Sequence, residues 1–203
     1  SVVALDLVQI ALPHDSFLVL FGDTQMEFED TYSLVEKQKE LCEAENINFI
    51  VSKSEQSPDI TWREFGSPAQ TMRWCCSVHK TAPQIMALRE LTNNPSFRGM
   101  AFTGIRADES STRSQYDDVT YGGKHKGQYS CHAILNWGSA EVFLYIYDNG
   151  LLLNETYKKG NSRAGCLVCP MAANKNFFFK EQSYGGDPKS RLSTTMYTDI
   201  ILE

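Results

Sequence analysis

A short apolar run ending in a polar turn occurs three times in this chain, with helix signals between the runs, and few architectures accommodate that alternation. The first run, SFLVLFGDT, is apolar from Phe17 to Phe21 and closes on Gly22-Asp23-Thr24, as a buried parallel strand does. Thr24 and Glu27 form a T-x-x-E capping box, which predicts a helix from Thr24 with Phe28, Tyr32 and Val35 on one face. Cys42 falls on that same face and reads as core. The second run, INFIVS at 47–52, is followed by a loop and a second capping box, Thr81 with Gln84. Pro83 sits in the first turn of the helix this predicts, over 83–91. The third run is GMAFTG at 99–104, and residues 1–12, apolar almost all round, read as a buried helix.

Strands alternating with helices predict an α/β fold of three layers, a parallel sheet with helices on both faces. Ligands bind such sheets at the carboxyl ends of the strands, which brings Asp23, Thr24, Gly104 and Arg106 toward one mouth. Residues 116–132 are polar and glycine-rich and read as a mobile loop, whereas EVFLYIYDNG at 141–150 suits either a helix or a strand. The expected domain covers 1–171, with 172–203 an irregular tail or the start of a further segment.

The opening run SVVALDLVQIAL ends at Pro13, short of the roughly 20 residues a membrane span needs, and it lacks a basic leader. The chain therefore reads as cytoplasmic, with no membrane partner. A net charge of −6 argues against a broad nucleic-acid-binding face but leaves room for a small anionic ligand. Local basic clusters stand at Lys124-His125-Lys126 and at Lys158, Lys159 and Arg163.

The six cysteines, at 42, 75, 76, 131, 166 and 169, are unevenly placed. In a chain read as cytoplasmic they are thiols or metal ligands sooner than disulfides. Cys166 and Cys169 have C-x2-C spacing, and a fold that brings Cys75 and Cys76 to them completes four thiolates. Zinc and an iron–sulfur group both remain open on that count, although adjacent cysteines point apart and suit a zinc knuckle poorly. The plainer alternative is small buried hydrophobes and a chance spacing. Lys80 is placed to balance a thiolate-ligated group, and His79 reads as a hydrogen-bonded loop residue. Arg106 and Arg113 offer rigid donor forks for phosphate or sulfate, with Gly104 allowing close backbone approach. Tyr32, Tyr145 and the run Phe177 to Phe179 read as packing.

WCCSVHK followed by Pro83, and NETYKKGNSRAGCLVCP after a segment with Trp137, resemble the sulfonucleotide reductases. These are the PAPS and APS reductases of the adenine nucleotide α-hydrolase-like superfamily. GDTQMEFEDT resembles that family's D-T-x-x-x-F-x-E-T element, and TGIRADESSTR its G-x-R-x-x-E-S-x-x-R element; the likeness covers roughly 1–171. The resemblance implies a [4Fe–4S] cluster on Cys75, Cys76, Cys166 and Cys169, with zinc the lesser alternative. It also implies an adenine nucleotide (PAPS, APS or ATP) at Asp23 and Thr24, with Gly104, Arg106 and Arg113 at its phosphates or sulfate. Thioredoxin or a similar reductant is the implied protein partner.

Two elements of the family pattern do not appear. The phosphate loop S-G-G-K-D-S should precede the first helix, and Ser1 resembles its last residue, so the fold is expected without its first strand and phosphate loop, within a longer parent protein. The cysteine of the family's E-C-G-x-H element does not follow Cys169. The expected function is that of a PAPS reductase-family enzyme. The alternatives are an ATP pyrophosphatase-type sulfur-transfer enzyme, acting in DNA phosphorothioation or nucleic-acid thiolation, and a non-catalytic nucleotide-binding iron–sulfur module.

Overall fold

A computed structural model describes residues 1–69, 71–122, 128–161, 165–167 and 169. The chain forms two compact units. The first gathers Ser1–Val19, Cys42–Asn48 and Leu88–Leu153; the second gathers Leu20–Leu41, Phe49–Ala87 and the described residues from Asn154 onward.

The first unit opens with α1, Val2–Ala11, whose N-cap Ser1 accepts the Ala4 amide at 3.5 Å through its hydroxyl. Val3 on this helix packs with Ile134 and with Val142 and Ile146 of the helix Ser139–Asp148, forming the buried core of the unit. Each such side chain contributes about 1.5–3 kcal/mol by leaving water. Asp6 of α1 accepts the Tyr145 hydroxyl at 2.7 Å. The stretch read as helix or strand is therefore helix, because Val142 and Ile146 repeat at helical spacing and both face this core.

Three short strands complete the unit: Met100–Phe102, Val119–Tyr121 and Tyr129–Cys131. The last lies between the others, parallel to the first and antiparallel to the second. The 116–132 stretch, expected as a mobile loop, thus contributes two of these strands. Its alternation explains why: Val119, Tyr121 and Tyr129 stand on one exposed face, while Thr120 and Ser130 turn to the other. The Lys124-His125-Lys126 cluster lies outside the described residues.

The remaining elements are β1 (Leu18–Asp23), α2 (Glu29–Ala44), β2 (Asn48–Lys53), α3 (Pro58–Phe65), α4 (Trp74–Cys76), α5 (Ala82–Leu91) and, after the helix Ser139–Asp148, which is α6, the single turn α7 (Glu155–Lys158). The strands numbered β3, β4 and β5 are those at 100, 119 and 129. β1 and β2 hydrogen-bond to each other as a two-stranded sheet. Together with the parallel β3–β5 pair, this is the α/β class expected of the sequence. Cys42, at 1% exposure, is core as its spacing required.

Two helix expectations are corrected, and a third gains an approach the spacing did not show. The helix predicted from Thr24 begins five residues later, at Glu29. Asp23 Oδ1 accepts the Gln25 amide at 2.7 Å and Gln25 takes φ +62°, a left-handed conformation that no α-helix continues through. The helix predicted over 83–91 is α5, Ala82–Leu91, and the chain enters it from α4 through a π-helical turn, Ser77–Thr81, where the Ala82 amide reaches back to the Ser77 carbonyl. Pro83 has no amide to give His79 O, and its ring would strike that carbonyl in a regular helix, so the widened turn relieves the clash. The stretch after β2 read as loop holds α3, whose start carries Ser57 at the N-cap and Pro58 in the first turn.

Candidate functional site

The site with the richest chemistry lies in the second unit. Cys75 and Cys76 occupy α4, and the π-helical turn that follows places Lys80 one turn on. Cys166 and Cys169 close a tight turn in which the Cys169 amide bonds the Cys166 carbonyl at 3.2 Å. All six cysteines are thiols, none in a disulfide. The Cys75 thiol is pushed well above its ordinary pKa, chiefly by its hydrogen bond with Cys76 and then by burial. Ionisation of Cys76, Cys166 or Cys169 would add to the rise.

Cys166 sits against β1's carboxyl end. The Thr24 hydroxyl has one proton to give, to Glu27 Oε1 at 3.0 Å or to Cys166 Sγ at 3.5 Å. Cys166 Sγ in turn lies 3.6 Å from Glu27 Oε1. Burial and the Glu27 charge push the Cys166 pKa up to about 12, while the Thr24 hydrogen bond and the Lys80 charge pull against them. Lys80 comes this close because residue 22 is glycine: a Cβ there would stand 3.2 Å from Lys80 Cγ and 2.8 Å from Gln84 Nε2. His79 is fully buried, with Nε2 2.8 Å from the Thr61 hydroxyl, and burial lowers its pKa, so it stays neutral and leaves Lys80 as the cation of this turn. Asp23 is engaged twice through one oxygen, by the Gln25 amide and by the Tyr32 hydroxyl at 2.9 Å. Tyr32's own pKa is raised, first by burial and then by that carboxylate.

In the first unit, Ser1 and Gly104 are in direct contact, and a Cβ built on Gly104 would overlap the Ser1 side chain. Arg106 and Arg113 follow on two short 3-10 turns, Ala107–Glu109 and Arg113–Gln115. Arg106 donates to Asp108 Oδ1 and to Ser139 Oγ, both at 3.0 Å, and Arg113 pairs with Glu109. Both forks are therefore organised by carboxylates. His132, not singled out in the sequence, is buried at the end of β5 between the hydroxyls of Thr103 (2.7 Å) and Thr120 (3.3 Å). Arg163 lies outside the described residues.

Among the described residues, no three His, Cys, Asp or Glu side chains converge as they must to hold a single metal ion. What the second unit offers is four thiols on two short segments, with Lys80 one turn beyond the first pair. The sequence missed Glu27 as a neighbour of Cys166, because T-x-x-E reads as a cap. Thr61 as the partner of His79 is not legible from spacing, because it lies on α3, whose only local signal is Ser57-Pro58.

The phosphoadenosine phosphosulfate reductase domain model matches residues 1–172. An uncharacterized protein of Methanocaldococcus jannaschii is 32% identical over 170 residues, which is 84% of this chain and 39% of that protein. The chain thus spans about two fifths of that relative's length. An adenosine 5'-phosphosulfate reductase of Oceanobacillus iheyensis is 26% identical over 178 residues, covering 85% of this chain and 68% of the relative. The fold is shared with a crystal structure of phosphoadenylyl-sulfate (PAPS) reductase from Candida auris in a phosphate complex, at a TM-score of 0.54 and 20% identity over 80% of this chain and 86% of that one. A family match across most of the chain, with motifs at 23–31, 75–80, 104–113 and 166–169 falling inside it, leads to one assignment: the chain belongs to the phosphoadenosine phosphosulfate reductase domain family.

Proposed function

We propose that this chain is the nucleotide- and cluster-bearing part of a PAPS reductase-family enzyme. In this reading it binds an adenylylated sulfate, or a related adenine nucleotide, and holds a [4Fe–4S] cluster on Cys75, Cys76, Cys166 and Cys169. The observation that carries the reading is the family match over residues 1–172, inside which the Cys75-Cys76 pair and the Cys166-x2-Cys169 pair both fall, with charge on the second pair contributing to the raised pKa of Cys75. Four thiolates suit an iron–sulfur group, and adjacent cysteines such as Cys75 and Cys76, which point apart, make a poor half of a zinc knuckle.

The residues described above divide the work in this reading. When bound, the cluster supplies a redox-active group of negative charge. Lys80 balances that charge and draws an anionic substrate toward it. Glu27 Oε1, 3.6 Å from Cys166 Sγ, is placed to take the proton the thiol sheds on ligation. In the second unit Asp23 and Thr24 serve the nucleotide. In the first unit Ser1 and Gly104 offer a close-packed helix start to an oxyanion, and Arg106 and Arg113 would trade Asp108 and Glu109 for phosphate or sulfate oxygens. Thioredoxin or a similar dithiol would supply reducing equivalents.

The test is anaerobic purification with iron and sulfide analysis and a visible spectrum. About four iron and four sulfide per chain are expected, and Cys76→Ser should bleach the colour and release the iron. A colourless protein carrying one zinc would overturn the cluster. Titrating the same sample with PAPS, APS and ATP separately sorts the nucleotide, and preference for ATP would transfer the chain to sulfur transfer by adenylation.

A further inference from the structure

The two halves of the thiol site are held by very different scaffolds. Cys75 and Cys76 open a helical stretch that runs on to Leu91. Cys166 and Cys169 follow α7, a single turn of four residues that cannot be stable through its own hydrogen bonds. Something else must fix that arm. Asn154, 5% exposed, caps α7 by accepting the Thr156 amide at 3.0 Å and, through its other amide atom, donates to Thr31 Oγ1 at 3.0 Å. Lys159, just past α7, meets Asp30 Oδ2 at 2.6 Å. Beyond them the Leu167 amide bonds the Met26 carbonyl at 2.7 Å. All three ties land between Met26 and Thr31.

We propose that Asp30 and Thr31, at the start of α2, are positioning residues for the Cys166–Cys169 pair, acting as a latch that grips the arm through Lys159 and Asn154. In the sequence this E-D-T stretch follows the turn assigned to the nucleotide; here it serves the thiol site. That the pair it positions ligates a cluster rests on the function proposed above, but the latch is a property of the polypeptide and is measurable without metal. A simpler role for Asp30, an acidic residue complementing the helix dipole of α2, makes a different prediction, because it would not involve Lys159 at all.

The experiment is hydrogen exchange of the metal-free full chain, read at the peptide containing Leu167. Thr31→Val and Lys159→Met should each speed that exchange roughly two- to tenfold while leaving α1 and α6 peptides unchanged. The double exchange Asp30→Lys with Lys159→Asp should restore protection that either change alone removes. Reconstituted samples should then release iron to a chelator faster in the same order. Unchanged exchange at Leu167 in both single variants, acceleration spread evenly over all peptides, or failure of the charge swap to rescue would overturn the latch. A wild-type protein that takes up no iron would instead overturn the proposed function, with the Leu167 exchange still deciding the latch.

Discussion

At the scale of single residues, the most exacting contact is the one between Ser1 and Gly104. Gly104 has no need of a left-handed backbone; it is glycine because the Ser1 side chain occupies the place of a Cβ. Gly104→Ala should therefore cost about 1–3 kcal/mol through overpacking. Ser1→Gly should cost only a few tenths, since glycine is a tolerable N-cap. The double variant should recover most of the Gly104→Ala loss, because the methyl then has space, and urea unfolding of the four proteins gives that coupling directly. Additive losses would mean that the strain lies elsewhere. Both residues were legible in the sequence as candidates for a phosphate site, from motif likeness. Their contact with each other was not legible, since nothing in a spacing of 103 residues reports an overlap of van der Waals surfaces.

At the scale of elements, the turn from Ser77 to Thr81 decides where the chemistry points. A residue is gained in that turn relative to an α-helix, so Cys75 and Cys76 present different directions than a regular helix would give them. Pro83→Ala restores the amide that His79 O lacks and removes the ring clash, which favours a regular helix by up to about 3 kcal/mol. The variant should melt at or above the wild-type temperature and yet bind less iron, a combination that simple destabilisation does not produce. Equal iron content in both proteins would show that the turn has another cause. Sequence patterns found the strands near 18, 48 and 100 because apolar runs closing on glycine or polar residues are local signals. They placed the helix start near 83 within one residue but misplaced the one near 24, because T-x-x-E describes only a hydrogen-bonding opportunity and a left-handed Gln25 intervenes. Asp23 captures the amide of Gln25 at the first site, whereas at the second no local signal announces the π-helical turn and α4 that lead into the helix.

At the scale of the whole molecule, the family was legible because its motifs are strung along the chain as short words, while the division into two units was not, since each unit is assembled from separated segments. The pooled effect of buried titratable groups also appears only at this scale. Cys75 and Cys166 have folded pKa values raised above the roughly 8.5 of an unfolded cysteine, so the native chain holds these protons more tightly. Their stabilisation is complete below about pH 8.5 and is lost as pH climbs toward the folded values, about 12 for Cys166. His79 has the opposite sign. Its folded pKa is lowered by burial, so its contribution is complete above roughly pH 6.5 and is lost as pH falls through that value toward the folded one. The metal-free protein should thus be most stable between about pH 6.5 and 8.5, falling by up to about 1.4 kcal/mol per pH unit for each proton on either side. Cys166→Ser should make only the alkaline limb shallower, leaving the share of Cys75, and His79→Asn should affect only the acid limb. Loading the thiol site should abolish the alkaline loss, because ligated sulfurs have already surrendered their protons and retain nothing for rising pH to remove. Denaturant midpoints across pH, taken with and without bound iron, make the comparison; an alkaline limb that persists unchanged in the loaded protein would mean that these thiols are not its ligands.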